Sequence, residues 1–462
     1  MSNRSLKKNV FLAGLCFLLS LQTVNAADKF ASEAPERLVE YLRINTANPP
    51  GNESRGVAFF AKYLTAAGIE FQTGESAPGR GNIWAKIPGG SKPGIVLINH
   101  IDVVPANENY WTVDPYKGVI KDGYIYGRGA LDMKGLGITQ FQAFLSLAAS
   151  GKALNRDVWF IATADEEAGG QYGAGWLVEN HPEIFENVGF LLNEGGSGSR
   201  VGGKIGFTVE VTQKIPLWLR LTATGRPGHG SSPQVHTSVT RLFKAGHRIT
   251  TTNFKPRVIK PVARMFADLA ESQPDGFQKQ YANISQYILD TEFMLALQTS
   301  NPRHHALLRD TCSATRIEGS AKINVVPAEA VLELDCRLLP DQNLDVFEKE
   351  LKLLISDSNI KIERLMGFSP AISETDTPLF EHIKKVTSQH YPGSRVMPSV
   401  STGFTDSHFF RDLGIVSYGF APFMASPSAY RGVHGNDEKV SIENMVNGTI
   451  LFQDLLESFT VN

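Results

Sequence analysis

Several sequence features that would limit the possible functions of the protein are scarce or absent. Its 462 residues include only three cysteines, and its 45 Lys and Arg nearly balance its 47 Asp and Glu, for a net charge of −2. This balance provides no basic field for nucleic acid or for an anionic membrane. The chain also lacks a P-loop, a GxSxG elbow, an HExxH helix and a CxxC pair. The usual short signatures of phosphate binding, serine hydrolysis and common zinc sites are therefore absent.

An apolar run near the start is too short to anchor the chain in a membrane. It covers residues 10–21, whereas a spanning helix needs about 20 apolar residues. Basic residues precede the run, and small residues ending at Ala26 follow it. The pattern predicts a cleavable export signal over residues 1–26 and a periplasmic or secreted protein with no membrane anchor after cleavage.

The two cysteines outside this signal flank a predicted hairpin. Antiparallel pairing about the midpoint, Asn324, would set Cys312 opposite Cys336. An oxidising compartment permits a disulfide there, but cross-strand cysteines can also form a reduced, packed pair. The sequence leaves both interpretations open.

The order of helix and strand patterns predicts two domains. The patterns alternate over residues 27–212 and again over 368–462, which predicts an α/β domain whose mixed, largely parallel sheet has helices on both faces. Residues 213–367 read β-α-β-β-α-β, the ferredoxin-like order, and predict an inserted lid or dimerisation domain. Within it, residues 254–310 form an additional, mostly helical excursion.

The main chemical signal is an acidic run after a buried strand. Residues 158–163 have the strand pattern, and Asp165, Glu166 and Glu167 follow almost at once. Burying adjacent carboxylates unpaired costs several kcal/mol or forces protonation, so such groups need solvent or a cation. Because α/β sheets bind ligands at the carboxyl ends of their strands, a metal site and a solvated acidic loop are both reasonable interpretations.

Other segment ends favour the metal site. A strand ends in His-Ile-Asp, and its alternation puts His100 and Asp102 on one face, where the carboxylate can orient the imidazole. Asp132 lies in a glycine-rich turn before a helix, Glu194 follows a strand, and His434 lies near the C terminus. Imidazole nitrogen and carboxylate oxygen are ligands that zinc takes.

Nine segments, in this order, resemble the di-zinc aminoacylase and carboxypeptidase family, which includes acetylornithine deacetylase, succinyl-diaminopimelate desuccinylase and carboxypeptidase S-like metallopeptidases. The resemblance covers nearly all of the chain beyond the signal. The segments are LINHIDVVPA (97–106), YIYGRGALDMKG (124–135), ATADEEAGG (162–170), NEGG (193–196), GRPGHGSSP (225–233), INVVP (323–327), DCRLLP (335–340), TGFTDS (402–407) and VHGNDE (433–438).

The resemblance implies two divalent metal ions, zinc first, with cobalt or manganese as alternatives. Asp132 would bridge the two ions, because metals about 3.5–4 Å apart share a carboxylate. His100 and Glu194 would complete one ion. Glu167 and His434 would complete the other.

The resemblance also implies the catalytic groups. Glu166 would be the general base, taking a proton from a water that bridges the zinc ions and passing it to the leaving amine. Asp102 would be the partner of His100. His229 corresponds to a family histidine that hydrogen-bonds the oxyanion, commonly from the partner subunit of a dimer.

Three further residues match substrate-binding positions of the family: Arg337, Asn324 and Gly403. An arginine fork suits a carboxylate, which favours substrates with a free α-carboxyl group. Arg337 could instead pair with Asp335 in a sheet, and Asn324 could be an ordinary turn residue.

The expected function is hydrolysis of an amide bond next to a C-terminal amino acid, in a small N-acyl amino acid or peptide. A dipeptidase or aminopeptidase that recognises a free amine is one alternative, and a non-catalytic binding protein on the same fold is another. A homodimer through the inserted domain would fit the resemblance. The excursion at 254–310 could instead occlude the dimer face, so that His229 reaches the site by domain closure, or it could line an apolar acyl pocket.

Overall fold

The computed structural model describes residues 26–201, 203–425 and 432–462. The predicted export signal lies outside this part, except for its last residue, and it stays a prediction. The helices are α1 Ala26–Leu42, α2 Ser54–Ala66, α3 Lys134–Ser150, α4 Ala174–Asn180, α5 Ser238–Thr251, α6 Lys260–Leu269, α7 Gln278–Ala282, α8 Ile284–Tyr287, α9 Thr291–Ser300, α10 Pro302–Ala306, α11 Leu344–Ile355, α12 Pro378–His390, α13 Ser407–Asp412 and α14 Ile442–Thr460.

The strands fall into a large mixed sheet, a four-stranded antiparallel sheet and two small ribbons. They are β1 Phe71–Glu75, β2 Gly81–Ile87, β3 Lys92–His100, β4 Val119–Lys121, β5 Tyr124–Tyr126, β6 Arg156–Thr163, β7 Val188–Asn193, β8 Ser197–Val201, β9 Lys204–Gln213, β10 Ile215–Thr224, β11 Gly228–His229, β12 Thr311–Glu318, β13 Val325–Val326, β14 Glu329–Leu338, β15 Ile360–Gly367, β16 Arg395–Ser401, β17 Val416–Gly419 and β18 Lys439–Ser441.

The large sheet has the order β1-β2-β6-β3-β7-β17-β9-β16, with β8 beside β9. Its centre is parallel, because β6, β3, β7 and β17 all run the same way. Antiparallel pairing is found at β1–β2, β2–β6, β8–β9 and β9–β17. The predicted mixed, largely parallel sheet is confirmed.

Helices cover both faces of this sheet. Along β3, Ile95 and Leu97 face a core that includes side chains of α1, α2, α3, α12 and α14. Val96 and Ile98 alternate to the other face and pack with side chains of α4 and α13. A strand that is buried on both sides needs an almost unbroken apolar run, which explains why the sequence of β3 is apolar throughout its centre.

The four-stranded sheet has the order β12-β14-β10-β15 and is antiparallel throughout. Helices α5 and α11 pack on it and share a buried cluster with β10 and β14, including Leu219, Leu242 and Phe347. Cys312 lies directly opposite Cys336, and a disulfide joins them. Of the two interpretations open from the sequence, the structure has the bridge.

The two sheets are joined by two adjacent chain segments. Lys214 lies between β9 and β10 and is fully buried, and its Nζ donates to the carbonyl oxygens of Ala306 and Arg309 at 2.8 and 2.9 Å. The returning segment runs alongside, since Thr212 Oγ1 donates to the Ala371 carbonyl at 2.7 Å. The junction therefore holds both sheets and the helical excursion together.

The excursion is mostly helical, as predicted, with α6 to α10 inside it. It has its own apolar cluster, which includes Phe266, Tyr281 and Leu297 and extends to Val400 on β16. Since β16 is the last strand of the large sheet, the excursion packs against that sheet's edge. Within the described ranges, no helix is both long and apolar enough to span a bilayer.

Candidate metal centre

The acidic residues come together at one rim because three neighbouring parallel strands end there. β3 ends at His100, Glu166 and Glu167 lie in a short 3-10 turn just after β6, and Glu194 directly follows β7. Parallel neighbours have their carboxyl ends on the same side, so these groups converge. Asp132 comes from the loop that leads into α3, which packs against β3.

Asp132 lies between two imidazoles. Its Oδ1 is 3.2 Å from His100 Nε2, and its Oδ2 is 3.2 Å from His434 Nε2. His434 Nε2 is also 3.1 Å from Glu167 Oε2, and His100 Nε2 is 3.6 Å from Glu194 Oε1. The structure thus brings together all five sequence-predicted ligands, including His434 from the far end of the chain.

Glu166 belongs to the same cluster. Its Oε2 is 3.9 Å from His100 Nε2. Two groups of three potential ligand atoms each lie within 4.8 Å of one another. One group comes from His100, Glu166 and Glu194, and the other comes from His100, Asp132 and Glu167. Distance alone therefore does not separate the expected base from the expected ligands.

The electrostatics of the cluster fit a bound cation. Burial, reinforced by neighbouring carboxylates, raises the pKa of Glu166 and of Glu194 well above the usual value. Burial also raises the pKa of Asp132, but hydrogen bonds with His100 and His434 outweigh it and lower the pKa overall. Hydrogen bonds with Asp132 and Glu167 raise the pKa of His434 to about 10. Crowded, buried carboxylates of this kind are stabilised by divalent metal ions, and the imidazole and carboxylate donors suit such ions.

Asp102 holds the acidic loop in place. It is fully buried, and its two oxygens accept the backbone N–H groups of Glu166 and Glu167 at 3.1 and 3.2 Å. His100 Nδ1 lies 2.9 Å from the Asp102 backbone carbonyl and 3.6 Å from Asp102 Oδ1. The closer contact to the imidazole is thus the carbonyl, while the carboxylate mainly fixes the neighbouring turn.

His229 and Asn324 lie together at the small ribbon formed by β11 and β13. Both are exposed, and the short strands β11 and β13 place them side by side, with the Gly230 N–H donating to the Asn324 carbonyl at 2.8 Å. The Nδ1 of His229 accepts from the Ser231 backbone N–H at 3.1 Å. Within the part of the chain that the structure describes, no hydrogen bond or ion pair joins His229 to the metal centre.

Arg337 is already partly paired. Its Nε and Nη2 donate to the two oxygens of Asp335 at 2.7 and 3.2 Å, which is the alternative raised from the sequence. Its Nη1 is buried and has no hydrogen-bond partner among the described residues. The guanidinium carbon is 5.3 Å from the ring centre of Phe404, the neighbour of Gly403. The structure therefore brings Arg337 close to the segment that carries Gly403.

Sequence reasoning missed the buried ion pairs behind the metal centre. Arg80 pairs with Asp165, beside the acidic turn, and its Nη1 lies 3.1 Å from Glu53 Oε1. Arg128 Nη1 lies 2.7 Å from Glu438 Oε2. Three of these residues lie within the segments that carry the family resemblance: Arg128, Asp165 and Glu438. No local pattern around Arg80 or Glu53 indicates a buried ion pair, because the partners lie far apart in the sequence.

Comparison with known proteins gives a consistent result. The model of Peptidase family M20/M25/M40 matches residues 96–458. Human aminoacylase-1 is 27% identical over 427 residues, covering 90% of this chain and 93% of that protein. The N-fatty-acyl-amino acid synthase/hydrolase of Xenopus tropicalis is 31% identical over 357 residues, covering 75% of this chain and 69% of that protein.

Solved structures share the fold at low sequence identity. An M20 family metallo-carboxypeptidase of Sulfolobus solfataricus has a TM-score of 0.74 at 20% identity, covering 92% of this chain and 99% of that one. Human carnosine dipeptidase 1 has a TM-score of 0.68 at 18% identity, covering 93% and 96%.

The chain is thus a metal-dependent amidohydrolase or peptidase. More specifically, it belongs to Peptidase family M20/M25/M40, whose model spans more than three quarters of its length. The family resemblance seen in the sequence is confirmed. A non-catalytic binding protein on the same fold is no longer a useful alternative.

Proposed function

We propose that this protein hydrolyses the amide bond between an acyl or peptidyl group and a C-terminal amino acid. The observation that carries the proposal is the position of Asp132, whose two oxygens each lie 3.2 Å from a different imidazole. A carboxylate in that position is suited to bridging two ions. The similarity to aminoacylase-1, over most of both chains, supports an amide as the bond that is cleaved.

Two zinc ions are the proposed cofactors. Asp132 would be shared, His100 and Glu194 would hold one ion, and Glu167 and His434 would hold the other. When bound, the ions would polarise the scissile carbonyl and lower the pKa of a nearby water. Glu194 and Glu167 have raised pKa values without metal because they are buried beside Asp132, so a cation would favour their charged forms.

Glu166 is the proposed general base. It is buried, and its pKa is raised by burial and by the charge of Glu194, which suits a group that must both accept and release a proton near neutral pH. Glu166 would take a proton from the attacking water and return it to the leaving nitrogen. Asp102 would keep Glu166 in place, since it accepts the Glu166 backbone N–H at 3.1 Å.

The substrate is proposed to carry a free α-carboxylate. Arg337 Nη1 is the part of the guanidinium that Asp335 leaves unpaired, so it would donate to one carboxylate oxygen rather than gripping both. The backbone at Gly403, whose N–H donates to Ser401 Oγ at 3.1 Å, and the side chain of Asn324 are the other proposed contacts. Gly403 follows β16, and the ring centre of its neighbour Phe404 lies 5.3 Å from the guanidinium carbon of Arg337. Asn324 would approach the substrate together with His229.

We propose residues 213–367 as a ferredoxin-like lid on the catalytic domain formed by 27–212 and 368–462. The chain order of β10-α5-β12-β14-α11-β15 and the separate apolar cluster support that division. His229 would stabilise the oxyanion after reaching the centre, either by closure of this lid or from the second subunit of a homodimer. Its exposure on the lid is compatible with both routes.

Export to the periplasm or the medium is proposed as the setting. The Cys312–Cys336 disulfide supports this, because such bonds persist mainly in oxidising compartments. N-terminal sequencing of the exported protein tests the proposal. A mature chain starting at Ala27 supports export, and a protein found only in the cytoplasm with its first residues retained contradicts it.

A hydrolysis screen tests the reaction. Purified protein is given N-acyl amino acids, the corresponding acylated dipeptides and free-amine dipeptides, each with added zinc, cobalt or manganese. Turnover of the acylated compounds that is lost on chelation and restored by zinc supports the proposal. Turnover of free-amine dipeptides alone would favour a dipeptidase or aminopeptidase instead, and turnover that survives complete metal removal would contradict the proposed chemistry.

A further inference from the structure

A buried ion pair joins the two loops that supply Asp132 and His434. Glu438 is fully buried and Arg128 is 2% exposed, and Arg128 Nη1 lies 2.7 Å from Glu438 Oε2. Neither residue is among the proposed metal ligands or substrate contacts. The pair therefore needs a reason for being buried, since removing two charges from water is costly unless other hydrogen bonds compensate.

Glu438 organises the loop that carries Asp132. Its Oε2 accepts the Gly129 backbone N–H at 2.9 Å, and its Oε1 accepts the backbone N–H groups of Leu131 and Asp132 at 2.7 and 3.0 Å. One carboxylate thus satisfies three amides of a buried loop that has no regular secondary structure. Because one of them belongs to Asp132 itself, Glu438 fixes the backbone from which the shared carboxylate projects.

Arg128 organises the loop that carries His434. Its Nη1 and Nη2 donate to the carbonyl oxygens of Gly432 and Gly435 at 3.4 and 2.6 Å, one on each side of the histidine. The side chain of His434 is 55% exposed, so few packing contacts hold it in position. Its backbone φ of +55° is also uncommon for a residue with a side chain. The imidazole therefore depends on its loop for its orientation.

We propose that Arg128 and Glu438 are positioning residues that fix the Asp132 and His434 loops relative to each other. Together they set the distance between the shared carboxylate and the most exposed ligand of the centre. The inference rests on the proposed two-ion site and adds to it the part of the protein that keeps the site assembled. Groups that orient metal ligands commonly change metal affinity 10–100-fold when they are replaced.

Metal binding by Glu438→Gln tests the inference without relying on turnover. The full-length chain is stripped with a chelator and titrated with Co²⁺ while visible absorption and calorimetry report the two binding steps. Glutamine retains the shape of glutamate but loses the charge and one acceptor. We expect one or both ions to bind about 10–100-fold more weakly, with a changed absorption spectrum for the ion that His434 binds.

Asp310→Asn is the matched control. Asp310 is also a buried carboxylate that accepts from an arginine, Arg257 Nη1 at 2.7 Å, and from a backbone N–H, that of Leu339 at 2.7 Å, but it lies in the antiparallel sheet region. We expect this variant to lose stability and to keep wild-type affinity for both ions. Wild-type affinity in folded Glu438→Gln, or an equal loss in both variants, would overturn the inference.

Arg128→Lys provides a second variant in case Glu438→Gln does not fold. Lysine preserves the positive charge but cannot reach Glu438 and the two glycine carbonyls at once. Weaker Co²⁺ binding in the folded variant supports the inference, and unchanged binding contradicts it. The metal titration does not depend on the proposed reaction. If the wild-type protein binds two ions but hydrolyses no amide, the proposed function is refuted, while the metal affinities of the variants still test the role of Arg128 and Glu438.

Discussion

The rim of the large sheet and the small ribbon of β11 and β13 hold their functional side chains in different ways. At the rim, His100 is 2% exposed and Asp102 is fully buried, and backbone N–H groups fix the acidic turn. The ribbon formed by β11 and β13 is a separate small sheet, and on it His229 and the adjoining Asn324 are both exposed. The candidate metal centre is therefore assembled where the central strands of the large sheet end, whereas the proposed oxyanion contact of His229 depends on how the ribbon approaches it.

Glu166→Gln should have the largest effect on turnover, because Glu166 lies within the candidate metal centre. We expect turnover to fall by roughly 10²–10⁴-fold, the usual contribution of a general base. Metal content, measured by elemental analysis, should stay at the wild-type value if Glu166 is not a ligand. Glu186→Gln, at an exposed position, is the control and should behave like the wild type. Unchanged turnover in Glu166→Gln would rule out the assigned role.

His229→Ala should have the next largest effect and addresses the exposed region. Loss of one oxyanion donor commonly lowers kcat by about 10²–10³-fold. KM and metal content should change little, because the residue acts only after the substrate has bound. The control is His247→Ala, on the exposed face of α5. A wild-type kcat in His229→Ala would show that the ribbon does not reach the centre.

Arg337→Lys should have a smaller effect, mainly on substrate binding. Lysine keeps the charge but cannot both pair with Asp335 and present a free N–H to a carboxylate, so we expect KM to rise about 10-fold while kcat changes less. Arg316→Lys, an exposed position on β12, is the matched control. If KM for an N-acyl amino acid equals that of the wild type, the carboxylate is bound elsewhere.

Lys214→Met, at the junction between the two sheets, should have the smallest effect, and the quantity that it changes is the pH dependence of the free energy of unfolding. Burial lowers the pKa of Lys214 to about 7, below its value of about 10.4 in an unfolded chain. Between these pH values the unfolded chain holds a proton that the folded chain does not. The free energy of unfolding should therefore rise with pH in this window, by up to roughly 1.4 kcal/mol per pH unit from this residue.

Chemical denaturation at pH 7 to 10 measures that slope. Lys214→Met should show a smaller rise in the free energy of unfolding than the wild type. Lys204→Met, which replaces an exposed lysine, should show the same rise as the wild type. Equal slopes in wild type and Lys214→Met would mean that Lys214 stays protonated in the junction, held by its three oxygen acceptors.

Local patterns were sufficient for much of the fold. The strand pattern at 158–163 lies within β6, and α3 follows the glycine-rich turn that carries Asp132, as the sequence predicts. These segments are largely buried, so their apolar runs indicate the type of each element. The disulfide was different, because opposed cysteines are equally consistent with a bonded and an unbonded pair.

The candidate site was predictable only in part. The rim residues follow directly from strand ends, since parallel neighbours bring their last residues together. The partners of Arg80 were not predictable, because Glu53 and Asp165 are brought close to it only by folding. For Arg337 the sequence left a substrate carboxylate and Asp335 both open, and in the structure Nε and Nη2 of Arg337 donate to Asp335.

By itself the sequence determined which residue types would gather at the carboxyl ends of the central strands, since strand period and chain order leave few other arrangements. The tertiary structure decided that the two oxygens of Asp132 face different imidazoles, that Asp102 holds the acidic turn, and that Arg128 and Glu438 join two distant loops. Such contacts join residues up to about three hundred positions apart in the chain. They depend on the complete packing of the molecule, which no local pattern contains.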